Sequence, residues 1–328
     1  MILESIQTGP KENVVIQAGL CTLTLIPSLG GKLASLRVQS HDRSDELLQS
    51  PLNPYAPRTR TMAFQDADAS GWDECLPSVA ECSLETQAGQ ATIPDHGDLW
   101  RVPWQVLHSS EDSATLRANC FSLPLQLTRS LILTQAASGW RLEFLYSLTN
   151  LGAYRVPWAW SAHPLFAVDA GDRIVLPDGI QTLRLEGSKA NRIGIGGDSV
   201  SWPVARQKDG SSTDLSLVSS IDSGIGDKLS TGPFSPAQPA WCALERARIG
   251  LRLTVRFEPL LTPYLGLWLC YEGWPEEPGP KQFCVAPEPA TAPVDSLQES
   301  GPWSRWLDPG ETVNWPMELL IDRIAKSS

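Results

Sequence analysis

GWRLEFLYSLTN (residues 139–150) alternates apolar and polar side chains along most of its length, with Leu145 as an exception. A period of two residues is the pattern of a β-strand with one buried face. Three segments before it share the pattern, and short intervals with turn residues separate them: WQVLHSS (104–110), ATLRANC (114–120) and LQLTRSLILTQ (125–135). Closely spaced strands of this kind are typical of a β-sandwich.

The N-terminal part continues this strand pattern. CTLTLIP (21–27) and KLASLRV (32–38) flank the pair Gly30-Gly31, and the arrangement predicts a β-hairpin. From about residue 39 to residue 70 the alternation stops, which indicates a functional loop or an irregular rim.

The C-terminal part begins with a second irregular region, at about residues 186–214, and strands then return. LRLTVRF (251–257) predicts a half-solvated strand, and GLWLCYEG (266–273) predicts a central one. TVNWPMELLI (312–321) alternates too, but its Pro316 favours an edge strand or a bulge. Helical periodicity is weak, and neither a repeat nor a composition break divides the sequence. We therefore predict an all-β protein with one large antiparallel β-sandwich domain over residues 1–328.

Composition narrows the class of partner. The 328 residues carry 26 Lys and Arg against 37 Asp and Glu, a net charge of −11, and the basic residues are scattered. This distribution favours neither nucleic acid nor an anionic membrane as partner, so a small molecule is expected. The seven cysteines form no CxxC pair, and the N-terminus lacks a basic region before an apolar core. We expect buried thiols, no membrane span and a cytoplasmic protein.

One carboxylate, that of Glu288, lies in an unusual backbone setting. In QFCVAPEPATAPVDSL (282–297) an apolar run leads to Glu288, which lies between Pro287 and Pro289. The two prolines fix an extended backbone, so Glu288 should be held rigidly at a strand end with few local donors. Such a carboxylate can serve as a base.

The sequence contains four histidines. His41 lies in a charged loop and His108 in an alternating strand, and both are assigned to structure or solvent. His96 lies in the turn PDHGDLWRVPW (94–104), and His163 follows an aromatic strand in WAWSAHPLF (158–166). The last two are strand-end histidines that can contribute to a site.

Two histidines and one carboxylate are compatible with a metal site, a hydrolytic triad or an acid–base pair. Metal ligation is weakly supported because no HxH or HxxxH element is present. No GxSxG element supports a serine nucleophile, and no cysteine lies in a clearly electropositive setting. General acid–base catalysis requires only one proton acceptor and one proton donor, with neither cofactor nor metal.

Five short motifs occur in a characteristic order: GGKLASLRV (30–38), HGDLWRVPW (96–104), AHPLFAV (162–168), APEPATAPVDSL (286–297) and WLDPGETVNWPMEL (306–319). Together they resemble the galactose mutarotase-like family, the aldose 1-epimerases and their relatives. The resemblance spans nearly the whole sequence and implies the large antiparallel β-sandwich of that family. It also implies a sugar substrate and no cofactor.

The resemblance further implies roles for individual residues. Glu288 would be the general base at the anomeric hydroxyl, and His163 the general acid at the ring oxygen. His96 would donate a hydrogen bond to the sugar near that oxygen. The aspartate that holds sugar hydroxyls would be Asp227, in GDKLSTGPF (226–234), with Asp222 as second choice.

One segment departs from the family pattern. Where many galactose mutarotases carry an arginine and an asparagine, this sequence reads GWDECLPSV (71–79), with Asp73 and Glu74 available to a polar pocket. The substrate can therefore differ. Two further groups are candidates for sugar contacts: the arginines that could bind a phosphate, Arg58, Arg60 and Arg101, and the tryptophans that could stack on a sugar ring, Trp72 and Trp100.

Three hypotheses follow from the sequence. The first is an aldose 1-epimerase, with a hexose-6-phosphate mutarotase as a variant. The second is a non-catalytic sugar-binding module on the same fold, and the third a structural sandwich without a ligand. The first requires Glu288 and His163 within about 10 Å in one cleft, so that one sugar ring can bridge them. The sequence leaves the sugar and the oligomeric state open.

Overall fold

A computed structural model describes residues 13–40, 42–238 and 240–324 of the protein. The first twelve residues, on which the expectation about the N-terminus depends, and His41 lie outside the described residues. No helix in the described ranges has both the length and the apolar character needed to span a membrane. The expectation of a single domain over residues 1–328 stays a prediction.

Strands dominate the described residues, with four one-turn 3₁₀ helices at Phe64–Asp66, Leu99–Arg101, Lys189–Asn191 and Gly301–Trp303. The strands, numbered in chain order, are β1 (Val14–Ala18), β2 (Cys21–Ile26), β3 (Lys32–Gln39), β4 (Ser44–Glu46), β5 (Trp72–Cys75), β6 (Cys82–Thr86), β7 (Gly89–Ile93), β8 (Gln105–Ser109), β9 (Ser113–Asn119), β10 (Leu125–Gln135), β11 (Gly139–Asn150), β12 (Val156–Trp158), β13 (Ser161–Pro164), β14 (Phe166–Ala167), β15 (Arg173–Val175), β16 (Thr182–Ser188), β17 (Ser199–Ser201), β18 (Val204–Arg206), β19 (Ser212–Asp214), β20 (Ile225–Ser230), β21 (Ala240–Arg246), β22 (Leu251–Phe257), β23 (Tyr264–Tyr271), β24 (Phe283–Ala290), β25 (Arg305–Leu307) and β26 (Thr312–Arg323).

Two large antiparallel sheets form the sandwich. The first has twelve strands in the order β1-β2-β3-β5-β13-β24-β23-β20-β16-β17, with β4 paired to β3 and β14 to β24. The second has eight strands in the order β15-β21-β22-β26-β11-β10-β9-β8. The predicted all-β sandwich is therefore confirmed, as are the β2-β3 hairpin and the consecutive strands β8 to β11.

The core lies between the two sheets. Trp72 of the first sheet packs on Phe144 of the second, with ring centroids 4.9 Å apart, and Tyr146 packs on Trp160 at the same distance. Alternation along β11 explains the packing, since every second side chain from Trp140 to Leu148 is buried. The alternation of apolar residues in the sequence thus determines which face of β11 is buried.

Pro316 does not mark an edge strand, which corrects the prediction for β26. This strand lies in the middle of its sheet, between β22 and β11. Its pairing with β22 begins at Met317, so Pro316 lies just outside that ladder. A proline is tolerated there because no hydrogen bond to β22 is required at this position.

The two irregular regions differ. After β3 ends at Gln39, the described residues up to 70 contain β4 and one 3₁₀ turn as their only regular elements, as expected of a loop. Residues 186–214 are more regular than predicted, because the short strands β17, β18 and β19 lie within them. The Gly and Ser residues of this region obscure the strand pattern in the sequence. Each of the three strands is also only three residues long, which is too short to show a period.

The face of the twelve-stranded sheet that points away from the core carries an unusual row of polar side chains. His163 of β13 is directly opposite Asp73 of β5, and Lys32 of β3 donates a hydrogen bond to Asp73. On the other side of His163 lies Glu288 of β24, which is opposite Gly266 of β23. Titratable groups on four neighbouring strands, β3, β5, β13 and β24, therefore meet on one face.

Candidate active site

A cavity of about 350 Å³ opens over this polar face. Its lining combines six polar residues, Glu288, His163, His96, Lys228, Asp95 and Asp295, with three aromatic residues that we call the aromatic wall, Phe64, Trp268 and Trp274. Mixed walls of this kind, with a few convergent polar groups, are typical of small-molecule sites.

Glu288 lies at the centre of the site and is only 1% exposed. The strand β24 runs through Pro287 and Pro289, and β23 pairs with it along its full length. The opposite edge of β24 pairs with β14 and β13 only at Cys284, Val285 and Ala290, so the two prolines fit without loss of ladder bonds there.

The two carboxylate oxygens of Glu288 are not equivalent. Oε2 accepts a hydrogen bond from Nζ of Lys228. Oε1 is buried without a hydrogen-bond partner among the described residues, and it lies 3.7 Å from Nε2 of His163. One oxygen is thus occupied, and the other is free to accept a proton.

Gly266 gives this carboxylate its space. A Cβ at that position would lie 3.1 Å from Oε2 of Glu288 and 3.5 Å from Nζ of Lys228. Because the strand neighbour has no side chain, Lys228 of β20 can reach across β23 to Glu288.

His163 is nearly buried, and its Nδ1 has no partner within the described residues. Burial holds the pKa of the imidazole well below its usual range, and the positive charge of Lys228 lowers it further. His163 is therefore neutral at pH 7.

His96 is held by three neighbours. Its Nδ1 lies 2.7 Å from Oδ2 of Asp95, and its ring stacks on Phe64 at 4.0 Å with an interplanar angle of 8°. The residue adopts a φ of 58°, and Arg101 stabilises this turn by donating to the backbone carbonyls of Asp95 and Gly97. The ring centroid of His96 lies 5.1 Å from that of His163.

Burial raises the pKa of the Glu288 carboxyl, although the charge of Lys228 opposes part of that rise. For Lys228, burial alone would lower the pKa, but the carboxylates of Asp295 and Glu288 together raise it. We conclude that Lys228 stays charged and that Glu288 is a stronger base than an exposed glutamate.

The sequence-predicted residues separate into two groups. The structure brings Glu288, His163 and His96 together at one cavity, with Glu288 and His163 well within the reach of one sugar ring. The six residues predicted to bind substrate do not line the cavity: Asp73, Glu74, Trp72, Trp100, Arg101 and Asp227.

Asp73, Glu74 and Trp72 are neighbours on β5 and are buried for structural reasons. Asp73 pairs with Lys32, on the same sheet face as His163 but beside the cavity. Glu74 points into the core, where Arg129 pairs with it, and Trp72 is fully buried there. Lys32 and Arg129, which lie on other strands, are thus the ion-pair partners of the Asp73 and Glu74 carboxylates.

Asp227 faces away from the cavity because it adjoins Lys228 on β20, and it is fully buried in an ion pair with Arg192. Its alternative, Asp222, is exposed in a turn before that strand. Trp100 is buried against Phe64 beneath the loop, with the guanidinium of Arg101 4.1 Å from its ring centroid.

The arginines proposed for a phosphate are engaged elsewhere. Arg58 forms a buried ion pair with Asp68. Arg60 lies over the ring of Phe121, and Arg101 donates to backbone carbonyls. None of the three lines the cavity, so the structure does not favour the hexose-6-phosphate variant.

Lys228, Asp295, Asp95 and the aromatic wall were missed by the sequence reasoning. Lys228 directly follows the aspartate that was chosen, and the alternation of β20 would have shown that the two residues point to opposite faces. Asp295 lies within the stretch that was quoted around Glu288. Its backbone carbonyl accepts hydrogen bonds from Val79 and Ala80, which tie that loop to the cavity rim.

The residues the structure describes contain no cluster of three or more His, Cys, Asp or Glu side chains suited to a metal ion. All seven cysteines are free thiols, and six of them are buried.

No family model and no curated protein sequence matches the chain. Solved structures do match it over nearly its whole length. A protein of Synechocystis sp. PCC 6803 aligns with a TM-score of 0.67 and 19% identity, covering 98% of this chain and 100% of its own. A galactose mutarotase-like protein of Lactobacillus casei ATCC 334 aligns with a TM-score of 0.65 and 16% identity, covering 94% and 100%.

The chain has the galactose mutarotase-like fold. A third structure, the GalM/aldose epimerase homologue of C. elegans, aligns with a TM-score of 0.62 and 13% identity, covering 95% of this chain and 99% of its own. At these identities the match describes the fold alone, and the chemistry has to be argued from the cavity.

Proposed function

We propose that the protein is an aldose 1-epimerase that interconverts the α and β anomers of a sugar without a cofactor. The observation that carries this proposal is the free Oε1 of Glu288, buried at a cavity wall 3.7 Å from Nε2 of His163. A proton acceptor and a nitrogen that can carry a proton stand close enough to act on the two oxygens bonded to one anomeric carbon.

The reaction moves one proton in each direction. Glu288 takes the proton of the anomeric hydroxyl as the bond between C1 and the ring oxygen breaks. His163 gives a proton to that oxygen when it is in its protonated form, which it takes up from solvent below its lowered pKa. The open chain then carries a carbonyl at C1, which turns about the C1–C2 bond. Closure on the other face of the carbonyl returns both protons and leaves the enzyme as it began.

Burial suits this exchange. It raises the pKa of Glu288 and lowers that of His163, so the proton affinities of the two groups approach each other. Glu288 is thereby a stronger base and protonated His163 a stronger acid, as ring opening requires. Two groups this close titrate as a unit.

The aromatic wall fits the apolar face of a sugar ring. Trp268 is held by a hydrogen bond of 3.0 Å from its Nε1 to Gln282, and Trp274 lies near Phe64, with ring centroids 6.2 Å apart. These aromatic rings beside the polar groups would give the sugar an apolar surface to pack on while its anomeric oxygens contact Glu288 and His163.

The charges of the cavity favour a neutral sugar. Asp95 and Asp295 are partly exposed at its rim, and Lys228, the lysine among the lining residues, is already engaged by Glu288. A phosphate or a carboxylate on the substrate would be repelled by the negative charges of Asp95 and Asp295. We therefore propose that phosphorylated aldoses and uronic acids are poor substrates.

Anomer exchange measured by NMR tests the proposal. A panel would contain neutral hexoses and pentoses, hexose 6-phosphates and uronic acids, each with a protein-free control for spontaneous mutarotation. We expect acceleration for at least one neutral aldose and much less for its 6-phosphate. Tight sugar binding without acceleration across the panel would instead support the non-catalytic sugar-binding module.

A further inference from the structure

Lys228 has no role in the mechanism above, yet its ammonium is the group in direct contact with the proposed base. Its side chain is 15% exposed, and Nζ donates to Oε2 of Glu288. The register explains why the two groups meet. Lys228 is opposite Trp268 on β23, whereas Glu288 is opposite Gly266, so the lysine passes over the glycine to reach the carboxylate.

We propose that Lys228 is a positioning residue that keeps Glu288 ionised at neutral pH and reserves its Oε1 for the substrate. A carboxylate buried without a cation would take up a proton and cease to be a base. With Lys228 on Oε2, the negative charge is retained, and the oxygen nearest His163 stays unoccupied. The catalytic role of Lys228 rests on the proposed function, whereas its effect on the ionisation of Glu288 does not.

Other groups around Glu288 do not replace this effect. Asp295 is negative and lies 3.9 Å from Nζ of Lys228, so it opposes ionisation of Glu288. The thiols of Cys75 and Cys284 are buried with raised pKa values and therefore stay neutral.

Neither His163 nor Asp73 supports the charge on Glu288, and the contribution of His96 to lowering the pKa of Glu288 is smaller than that of Lys228. His163 is neutral because burial lowers its pKa, and Asp73, beyond it, is paired with Lys32. His96 has Asp95 as its own carboxylate partner. Lys228 is thus the cation in direct contact with Glu288 among the described residues.

The titration of Glu288 tests this without any sugar. The side-chain carboxyl carbon of Glu288 would be followed by ¹³C NMR against pH, with its signal assigned by its loss in Glu288→Gln. In Lys228→Met we expect the midpoint to rise by about 1–3 pH units, the usual effect of an opposite charge at this distance. Lys228→Arg should restore most of the wild-type midpoint.

Lys208→Met is the matched control, since it removes an exposed lysine and should leave the midpoint unchanged. If Lys228→Met does not fold, Lys228→Gln removes the charge while keeping a hydrogen-bond donor, and it should show the same upward shift. An unchanged midpoint in the folded charge-removing variant would overturn the inference.

Kinetics then separate this inference from the proposed function. If the wild type accelerates anomer exchange, the acid limb of its pH–rate profile should move upward in Lys228→Met by the same amount as the NMR midpoint. If the wild type accelerates no aldose, the proposed function fails, while the titration of Glu288 still decides the role of Lys228.

Discussion

Two buried glutamates lie on opposite faces of the twelve-stranded sheet, and they differ in the donors around them. Glu74, on the core face, is fully buried. Its Oε1 accepts from Arg129 at 2.9 Å and from Tyr146 at 3.0 Å, and its Oε2 accepts from Nε1 of Trp160 at 2.9 Å. Glu288, on the cavity face, is equally buried but has one donor, at Oε2.

The comparison shows that burial alone does not identify a functional carboxylate. Burial raises the pKa of both side chains. At Glu74 three donors satisfy both oxygens, and the pair with Arg129 links the two sheets across the core. At Glu288 one oxygen is left without a donor beside a cavity, where a substrate hydroxyl can supply the missing hydrogen bond.

Removing each glutamate should therefore have a different consequence, and the largest effect is expected for the stability of Glu74→Ala. The substitution leaves Arg129 charged and buried without its carboxylate, which typically costs about 3–5 kcal/mol. Urea unfolding would measure the change. The double variant Glu74→Leu/Arg129→Leu should be less destabilised than Glu74→Ala; an equal or greater loss would argue against an unpaired buried charge as the cause.

A smaller effect is expected in the pH dependence of kcat/KM, which should form a bell with an acid limb and an alkaline limb. Beyond each limb kcat/KM should fall about tenfold per pH unit. Protonation of Glu288 removes the base as pH falls, and its raised pKa places that limb above 4.5. Loss of the proton from His163 removes the acid as pH rises, and its lowered pKa places that limb below 6.5. The bell should therefore be narrower than for an exposed Glu and His.

The alkaline limb is the informative one. A limb well above pH 6.5 would contradict the assignment of His163 as proton donor and would transfer that role to His96, which has Asp95 as a supporting carboxylate. Glu74 should contribute no limb, since its oxygens contact only protein donors in the described structure.

The local sequence pattern predicts the fold, but it predicts only some of the residues of the candidate site. Period-two alternation predicts β11 and the strands before it because one face of each is buried. It cannot show that Arg129 lies opposite Glu74, because that contact joins two sheets. The same limit applies to Asp73, which the sequence predicts as a substrate ligand but which is paired with Lys32 in the structure.

Glu288 was accessible to sequence reasoning because its two prolines mark a rigid backbone in the sequence itself. Lys228 was not, since its importance depends on the absence of a side chain at Gly266 on the next strand. The register that places these two residues beside Glu288 arises from long-range pairing, and no local signal in the sequence reports it.

Anomer exchange by Glu288→Gln tests the central claim most directly. Glutamine keeps the size of the side chain and much of its hydrogen bonding but cannot accept the proton. On an aldose that the wild type accelerates, we expect exchange to fall by about 10²-fold or more with sugar affinity little changed. Glu299→Gln, at an exposed glutamate, should match the wild type. If Glu288→Gln exchanged anomers as fast as the wild type, Glu288 would not be the base.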